Sequence, residues 1–257
     1  MENLFKINEN IYRLTVPFFD VYTTVYFVET DEGILVFDTA TYDSDVEDYI
    51  LPAIDYAGID KEQIKYVFIS HNHRDHSGGL QKLMGVIPKA TIVSKSDKLK
   101  EEFSDYNVLM PEDGDVILNH LQVIHIKGHS SDSCAIYDTR TKVMITGDCL
   151  QLYGLYGSGK WGANISYIKE HMEAVEKLRK MDIKHILTAH DYHPLGYSYE
   201  NENVKKALDY CIAPLDEIKD LILENPELGD EEVCEIYNSL GNPVIGVHVV
   251  TAVRGNM

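Results

Sequence analysis

The sequence predicts an α/β protein of two sheets covered by helices, followed by a helical C-terminal extension. Three observations carry that expectation. The first 38 residues read as strands, residues 66–189 alternate short apolar strands with loops and helices, and beyond about residue 200 helical periodicity takes over. The chain has 257 residues, with 42 acidic against 23 basic side chains and a net charge of −19. A hydrophobic content of 44% with 25% charged residues is that of a globular protein and excludes disorder, collagen and coiled coil. So acidic a chain repels phosphate backbones and anionic lipid, which argues against a nucleic-acid or membrane partner. No apolar run approaches the ~18 residues of a membrane span. Cys134, Cys149, Cys211 and Cys234 make no close pair, and the opening MENLFKINEN is no basic-then-apolar leader. Both point to a cytoplasmic protein with reduced thiols.

Each element follows from local pattern. Ile11–Val16, Thr23–Glu29 and Gly33–Phe37 are rich in Val, Ile, Tyr and Phe, with a turn at Asp31-Glu32-Gly33. Ser44 and Glu47 have capping-box spacing, and Val46, Tyr49, Ile50, Ala53, Ile54 and Ala57 continue on one helical face that Pro52 should kink. Strands are expected at Tyr66–Ser70 and Thr91–Ser94, and helices at Gly79–Met84 and Lys95–Phe103. Val116–Leu118, Leu121–Ile126, Cys134–Asp138 and Val143–Thr146 read as a largely antiparallel run. Ser166 opens a helix, and Ile186–Ala189 is the last clear strand. A stripe from Val204 to Ile222, kinked at Pro214, and another from Val233 to Leu240 behind an Asp230 N-cap complete the chain. The expected organisation is a catalytic domain over residues 1–200 with residues 201–257 packed on it as an appendage.

The chemistry concentrates at strand ends. His71-Asn72-His73-Arg74-Asp75-His76 follows directly on the strand Tyr66–Ser70. Histidines two apart in a tight loop can turn their rings to one side, and zinc takes imidazole nitrogens and carboxylate oxygens alike. His129, Asp148 and His190 each lie just past another apolar strand. A strand-end Asp or a lone His is ordinarily structural. Four separate strand ends carrying the right ligand types are not.

With these residues the sequence resembles the metallo-β-lactamase-fold superfamily over roughly residues 10–195, closest to its glyoxalase II and lactonase branches. The resemblance implies an αβ/βα four-layer sandwich. It also implies a ligand set in which His71, His73 and His129 hold one metal, Asp75, His76 and His190 a second, and Asp148 bridges the two. Asp38, ending the strand Gly33–Phe37, matches a family aspartate that supports the metal loop. The implied cofactors are two divalent ions, zinc first, with iron or manganese as alternatives. The implied reaction is hydrolysis of a small ester, thioester, lactone or lactam by a metal-bridging hydroxide, with Asp75 as the catalytic residue that orients it and handles the proton. The alternative is an oxidoreductase resembling the mononuclear iron persulfide dioxygenases, because imidazole and carboxylate suit both metals. Flavodiiron proteins resemble the fold too, but typically carry Glu where His73 stands and add a flavodoxin domain for which this chain is too short.

The remaining motifs are weaker. Gly154-x-x-x-x-Gly159-Lys160 imitates a phosphate-binding loop, but Trp161 stands where Ser or Thr is required. Leu150–Asn164 reads instead as a glycine-hinged lid. Tyr153, Tyr156, Trp161, Tyr192 and Tyr197, with Tyr199, suggest an aromatic-walled pocket for a small-molecule substrate. His193 competes with His190 for the ligand role, and the strand-end position favours His190. His120, His125, His171, His185 and His248 read as surface or core residues, and Cys149 as a buried structural thiol. The apolar stripes of the tail suit a homodimer.

Overall fold

The computed structural model describes residues 1–157, 161–241 and 243–257. Its chain sorts into two units, Met1–His125 with Cys134–Arg140, and Ile126–Ser133 with Thr141–Met257. Gly159 and Lys160, which complete the phosphate-loop imitation, lie outside the described residues, as does part of the expected lid.

The first unit opens on strands β1 (Leu4–Lys6), β2 (Ile11–Phe18), β3 (Val21–Thr30) and β4 (Gly33–Phe37), followed by β5 (Ile64–Phe68), β6 (Thr91–Val93) and β7 (Val108–Leu109). They form one seven-stranded sheet in sequence order. The pairs up to β3–β4 are antiparallel, and those from β4–β5 onward are parallel. Parallel strands need crossovers, and these are helical. Between β4 and β5 run α1 (Asp43–Asp45), a π turn (Val46–Ile50) and α2 (Leu51–Ala57); then come α3 (Arg74–Ser77), α4 (Leu80–Val86) and α5 (Asp97–Glu102). Val25, Phe27, Val36 and Val67 of the sheet share a core with Ile50, Ala53 and Ile54, with Leu80 and Leu83, and with Leu99. Alternate residues Tyr26, Phe37 and Phe68 are equally buried, the last two rings stacked at 5.2 Å. The sheet is thus buried on both faces, which explains why β4 reads as a continuous apolar run. Three further strands, β8 (Val116–Ile117), β9 (Leu121–His125) and β10 (Cys134–Asp138), pair antiparallel.

In the second unit β11 (Val143–Ile145) runs parallel to β12 (His185–Tyr192), which pairs antiparallel with β13 (Gly196–Glu200). The helix α6 (Ile168–Arg179) precedes β12. The helices α7 (Glu202–Tyr210), α8 (Ala213–Glu224), α9 (Asp230–Ser239) and α10 (Val247–Gly255) follow β13. Leu215, Ile218, Val233, Tyr237, Val249 and Val253 share one core with Ala163, Ile165 and Ile168.

Several boundaries differ from expectation, each for a local reason. The capping pair Ser44/Glu47 is not used. Asp45 caps instead, its Oδ2 accepting from the backbone N–H groups of Thr41 at 3.0 Å and Tyr42 at 2.9 Å. Pro52 makes no simple kink. The π turn ends just before it, a register change next to a residue that offers no N–H and whose ring crowds the carbonyl four back. The stripe from Val204 to Ile222 is two helices rather than one, Pro214 standing in the first turn of α8. Asp230 is the first residue of α9, not its cap. Gly229 caps it, its N–H donating to Glu232 Oε2 at 2.8 Å. The strand expected at Tyr66–Ser70 begins and ends two residues earlier, which leaves Ser70 for the site.

Candidate metal centre

In the first unit the site grows from two strand ends. β4 delivers Asp38, whose N–H donates to the Phe68 carbonyl at 2.8 Å and whose φ of +63° turns the chain sharply, a conformation Asp tolerates better than most residues. β5 delivers Ser70 and the histidine loop. The fully buried Asp38 carboxylate takes the Ser70 N–H at 2.8 Å on Oδ1. On Oδ2 it takes the Ser70 hydroxyl at 2.9 Å and His76 Nδ1 at 2.8 Å. Burial pushes this carboxyl above the ordinary range, against the pull of His76 and Ser70. Since the Ser70 hydroxyl spends its proton on Asp38, His71 Nδ1, 3.1 Å from Ser70 Oγ, is the donor in that pair. Asp38 therefore orients two histidines, one directly and one through Ser70, and leaves Nε2 of each as the nitrogen that carries the lone pair.

The loop itself is held by its backbone. The Asp75 carbonyl accepts from Thr23 Oγ1 at 3.1 Å, and the His76 carbonyl from the Thr39 N–H at 2.7 Å and hydroxyl at 3.0 Å. The His71 ring centroid lies 4.5 Å from that of His73 and 4.3 Å from that of His76, and His76 Nε2 stands 3.1 Å from Asp75 Oδ2. His71 and His76 are buried, Asp75 is half-buried and His73 exposed. Gly78 closes the loop so tightly that a Cβ there would sit 2.0 Å from the Thr41 carbonyl oxygen. Backbone cannot retreat as a side chain can. Gly78→Ala should cost about 1–3 kcal/mol, read as a lower urea midpoint at unchanged m-value; a midpoint equal to that of the native chain would show that the approach relaxes freely.

The second unit gathers the other three candidates. His129 Nδ1 donates to the Asn164 carbonyl at 2.8 Å, and its Nε2 lies 3.6 Å from Asp148 Oδ2. His190 Nε2 lies 3.2 Å from Asp148 Oδ1, which also accepts from the Tyr192 hydroxyl at 2.8 Å. All three are buried. Gly128 lets the chain pass the buried His171, since a Cβ there would stand 2.6 Å from His171 Nδ1.

The aromatic residues divide. Tyr192 and Tyr199 are fully buried, the first with its hydroxyl on Asp148 and the second with its hydroxyl on the Gly196 carbonyl. Tyr153 donates to Glu217 Oε1 at 2.7 Å, and burial raises its pKa. Tyr153 and Tyr156 flank His193 with ring centroids 6.3 Å and 5.1 Å away, which gives His193 an aromatic setting. Tyr156 and Trp161 remain exposed, and Tyr197 is half-buried. Cys149 is buried, as expected of a structural thiol. Sequence reasoning missed Ser70, Gln151 and Asn164. Ser70 precedes the first histidine and Gln151 follows Asp148 by three residues, so proximity was the one signal available. Asn164 acts through its carbonyl, which no side-chain identity announces.

A stretch of 91 residues is 32% identical to a hydroxyacylglutathione hydrolase of Prochlorococcus marinus and covers 33% of this chain and 36% of that protein, so the match spans about a third of the relative. A metallo-beta-lactamase from Pontibacter korlensis superposes with a TM-score of 0.60 at 20% identity, covering 81% of this chain and 97% of that one. A flavo di-iron protein from Thermotoga maritima gives a TM-score of 0.65 at 17% identity, covering 82% and 62%. At such identities the two structures establish the fold alone, and it is the α/β sandwich that the sequence predicts. Residues 19–190, from the loop before β3 to His190 itself, match the profile of the metallo-beta-lactamase superfamily, and the chain belongs to that superfamily.

Proposed function

We propose that the chain is a dinuclear metal-dependent hydrolase that cleaves a small ester, thioester, lactone or lactam. In this reading His71, His73 and His129 would hold one ion, Asp75, His76 and His190 would hold the other, and Asp148 would serve both. The observation that carries it is the orientation of the imidazoles. His71, His76 and His129 each commit Nδ1 to a fixed acceptor, respectively Ser70, Asp38 and Asn164, and so keep Nε2 for a metal. The donor set of imidazoles and carboxylates fits zinc, manganese or iron.

Two such ions, when bound, supply an activated water and polarise a carbonyl oxygen. The chain's own residues do the rest. Asp38 and Ser70 hold two imidazoles in one tautomer, so that no reorientation is needed when substrate arrives. Asp75, half-buried, would accept a hydrogen bond from the attacking water, take its proton as the new bond forms and pass that proton to the leaving group as the old bond breaks. Tyr153, Tyr156, Trp161 and Tyr197 offer apolar ring surface to a small substrate. No described helix is long and apolar enough to cross a membrane, and four free, buried cysteines support a reducing compartment such as the cytoplasm.

Metal analysis by mass spectrometry of protein purified without chelator tests the proposal. About two zinc or manganese ions per chain, with turnover in a panel of lactones and thioesters, are expected. One iron per chain with oxygen uptake on persulfides would replace the hydrolase with an oxygenase. A chain that takes up no metal would end both readings.

A further inference from the structure

We infer that Gln151 and Tyr192 form a buried positioning pair that presents the Asp148 carboxylate for metal capture. The inference rests on the metal reading above and adds residues to it that neither the histidine pattern nor the family match assigns.

Asp148 follows β11 in an irregular turn, behind a glycine at φ +53°, so no regular element fixes its side chain. A side-chain network does so instead. Tyr192, fully buried, donates its hydroxyl to Asp148 Oδ1 at 2.8 Å. That hydroxyl accepts in turn from Gln151 Nε2 at 3.2 Å, and the same amide nitrogen donates to the Asp148 carbonyl at 3.0 Å. Gln151 Oε1 accepts the Asn164 N–H at 3.0 Å, and the Asn164 carbonyl is the acceptor for His129 Nδ1. One primary amide, 5% exposed, therefore touches Asp148 and a residue beside each of the other two candidate ligands of its unit. It holds Asp148 itself, Tyr192 two residues beyond His190, and the residue that orients His129.

The donor and acceptor count explains why these residue types are required. The amide offers two N–H groups and one oxygen, and both N–H donations and the oxygen are spent. The phenol donates once and accepts once. A buried network in which every group is paired holds a single geometry, whereas one missing partner leaves its neighbour unsatisfied in a dry site at about 1–3 kcal/mol. With Oδ1 tied to Tyr192, Asp148 keeps Oδ2 on the side of His129 Nε2. This also assigns Tyr192 away from substrate: its ring is sealed from solvent and its hydroxyl already has two partners.

The test uses the full chain stripped of metal, with zinc affinity measured by competition against a chromophoric chelator and the cobalt-substituted protein examined by visible absorption. Tyr192→Phe keeps the ring and removes the donor to Asp148. Gln151→Met keeps the length and removes both donations together with the acceptor of the Asn164 N–H, and it decides the matter if the phenylalanine variant does not fold. Each is expected to weaken zinc binding by about 10- to 100-fold and to change the cobalt ligand-field bands at saturation, a signature that loss of packing alone would not give. Zinc affinity within twofold of the native chain, or an unchanged cobalt spectrum, overturns the inference while leaving the metal reading intact. A native chain that binds neither ion overturns both.

Discussion

Asp38→Ala should destabilise the folded chain by about 3–5 kcal/mol, the cost of leaving three buried donors without their acceptor. The substitution strands the Ser70 N–H, the Ser70 hydroxyl and His76 Nδ1, all buried and all now on one carboxylate. It also places a β-carbon at φ +63° without the local polar group that makes this backbone tolerable. Urea unfolding with a coincident fluorescence and circular-dichroism transition measures the loss. Asp38→Asn separates the terms. It keeps the turn and one acceptor but points an amide donor at other donors, and about 1.5–3 kcal/mol is expected. A loss below about 1 kcal/mol for the alanine variant would show that the histidine loop holds itself, and the tautomer argument would fall with it.

Acid should weaken the chain through His171. Its Nε2 donates to the Cys211 carbonyl at 3.2 Å, and among the described residues its Nδ1 has no hydrogen-bond partner. Burial holds the imidazole neutral, moving its pKa from 6.5 down to about 4; the Cys211 carbonyl opposes the shift and His129 adds to it. A histidine whose folded pKa lies below its unfolded value binds its proton more readily when unfolded. Its contribution is therefore complete above about pH 6.5, falls as the pH drops toward 4, and is exhausted below. At 1.36 kcal/mol per unit this amounts to about 3 kcal/mol across the window. Asp38, raised by burial, works in the opposite sense, so the comparison is made between the native chain and His171→Gln rather than on the native chain alone. Urea midpoints at pH 7.5, 5.5 and 4.5 should converge as the pH falls. Parallel curves would show that His171 accepts its proton without cost.

The candidate ligands stand out in the sequence because their chemistry is sparse and their spacing tight, and Asp38 stands out with them; Ser70, Gln151 and Asn164 do not, because they are common residues or act through the main chain. β4 and β10 begin and end where the apolar runs do, at Gly33–Phe37 and Cys134–Asp138, since both are buried along their whole length. β1 and β7 went unseen, being three and two residues long, with pairing partners such as Leu4↔Leu14 and Ile92↔Val108 that no local window contains. β13, GYSYE, has no apolar run to announce it. It is a strand because Tyr199 lies opposite Ile186 with its ring buried. The valine-rich α10 has poor helical propensity. It is a helix because Val249, Val250 and Val253 find a core to enter, an outcome decided by packing rather than by the segment.

The division into two units has a consequence for how such a gene can be cut and rejoined. Neither unit is one run of sequence, for Ile126–Ser133 belongs to the second and Cys134–Arg140 to the first. A fragment ending before Ile126 carries the histidine loop yet leaves β9 without β10. A fragment starting at Thr141 carries Asp148 and His190 yet leaves His129 behind. No single breakpoint yields both units whole, so recombination can exchange one for a relative's only by three crossovers, at 125/126, 133/134 and 140/141, or by inheriting the pair together.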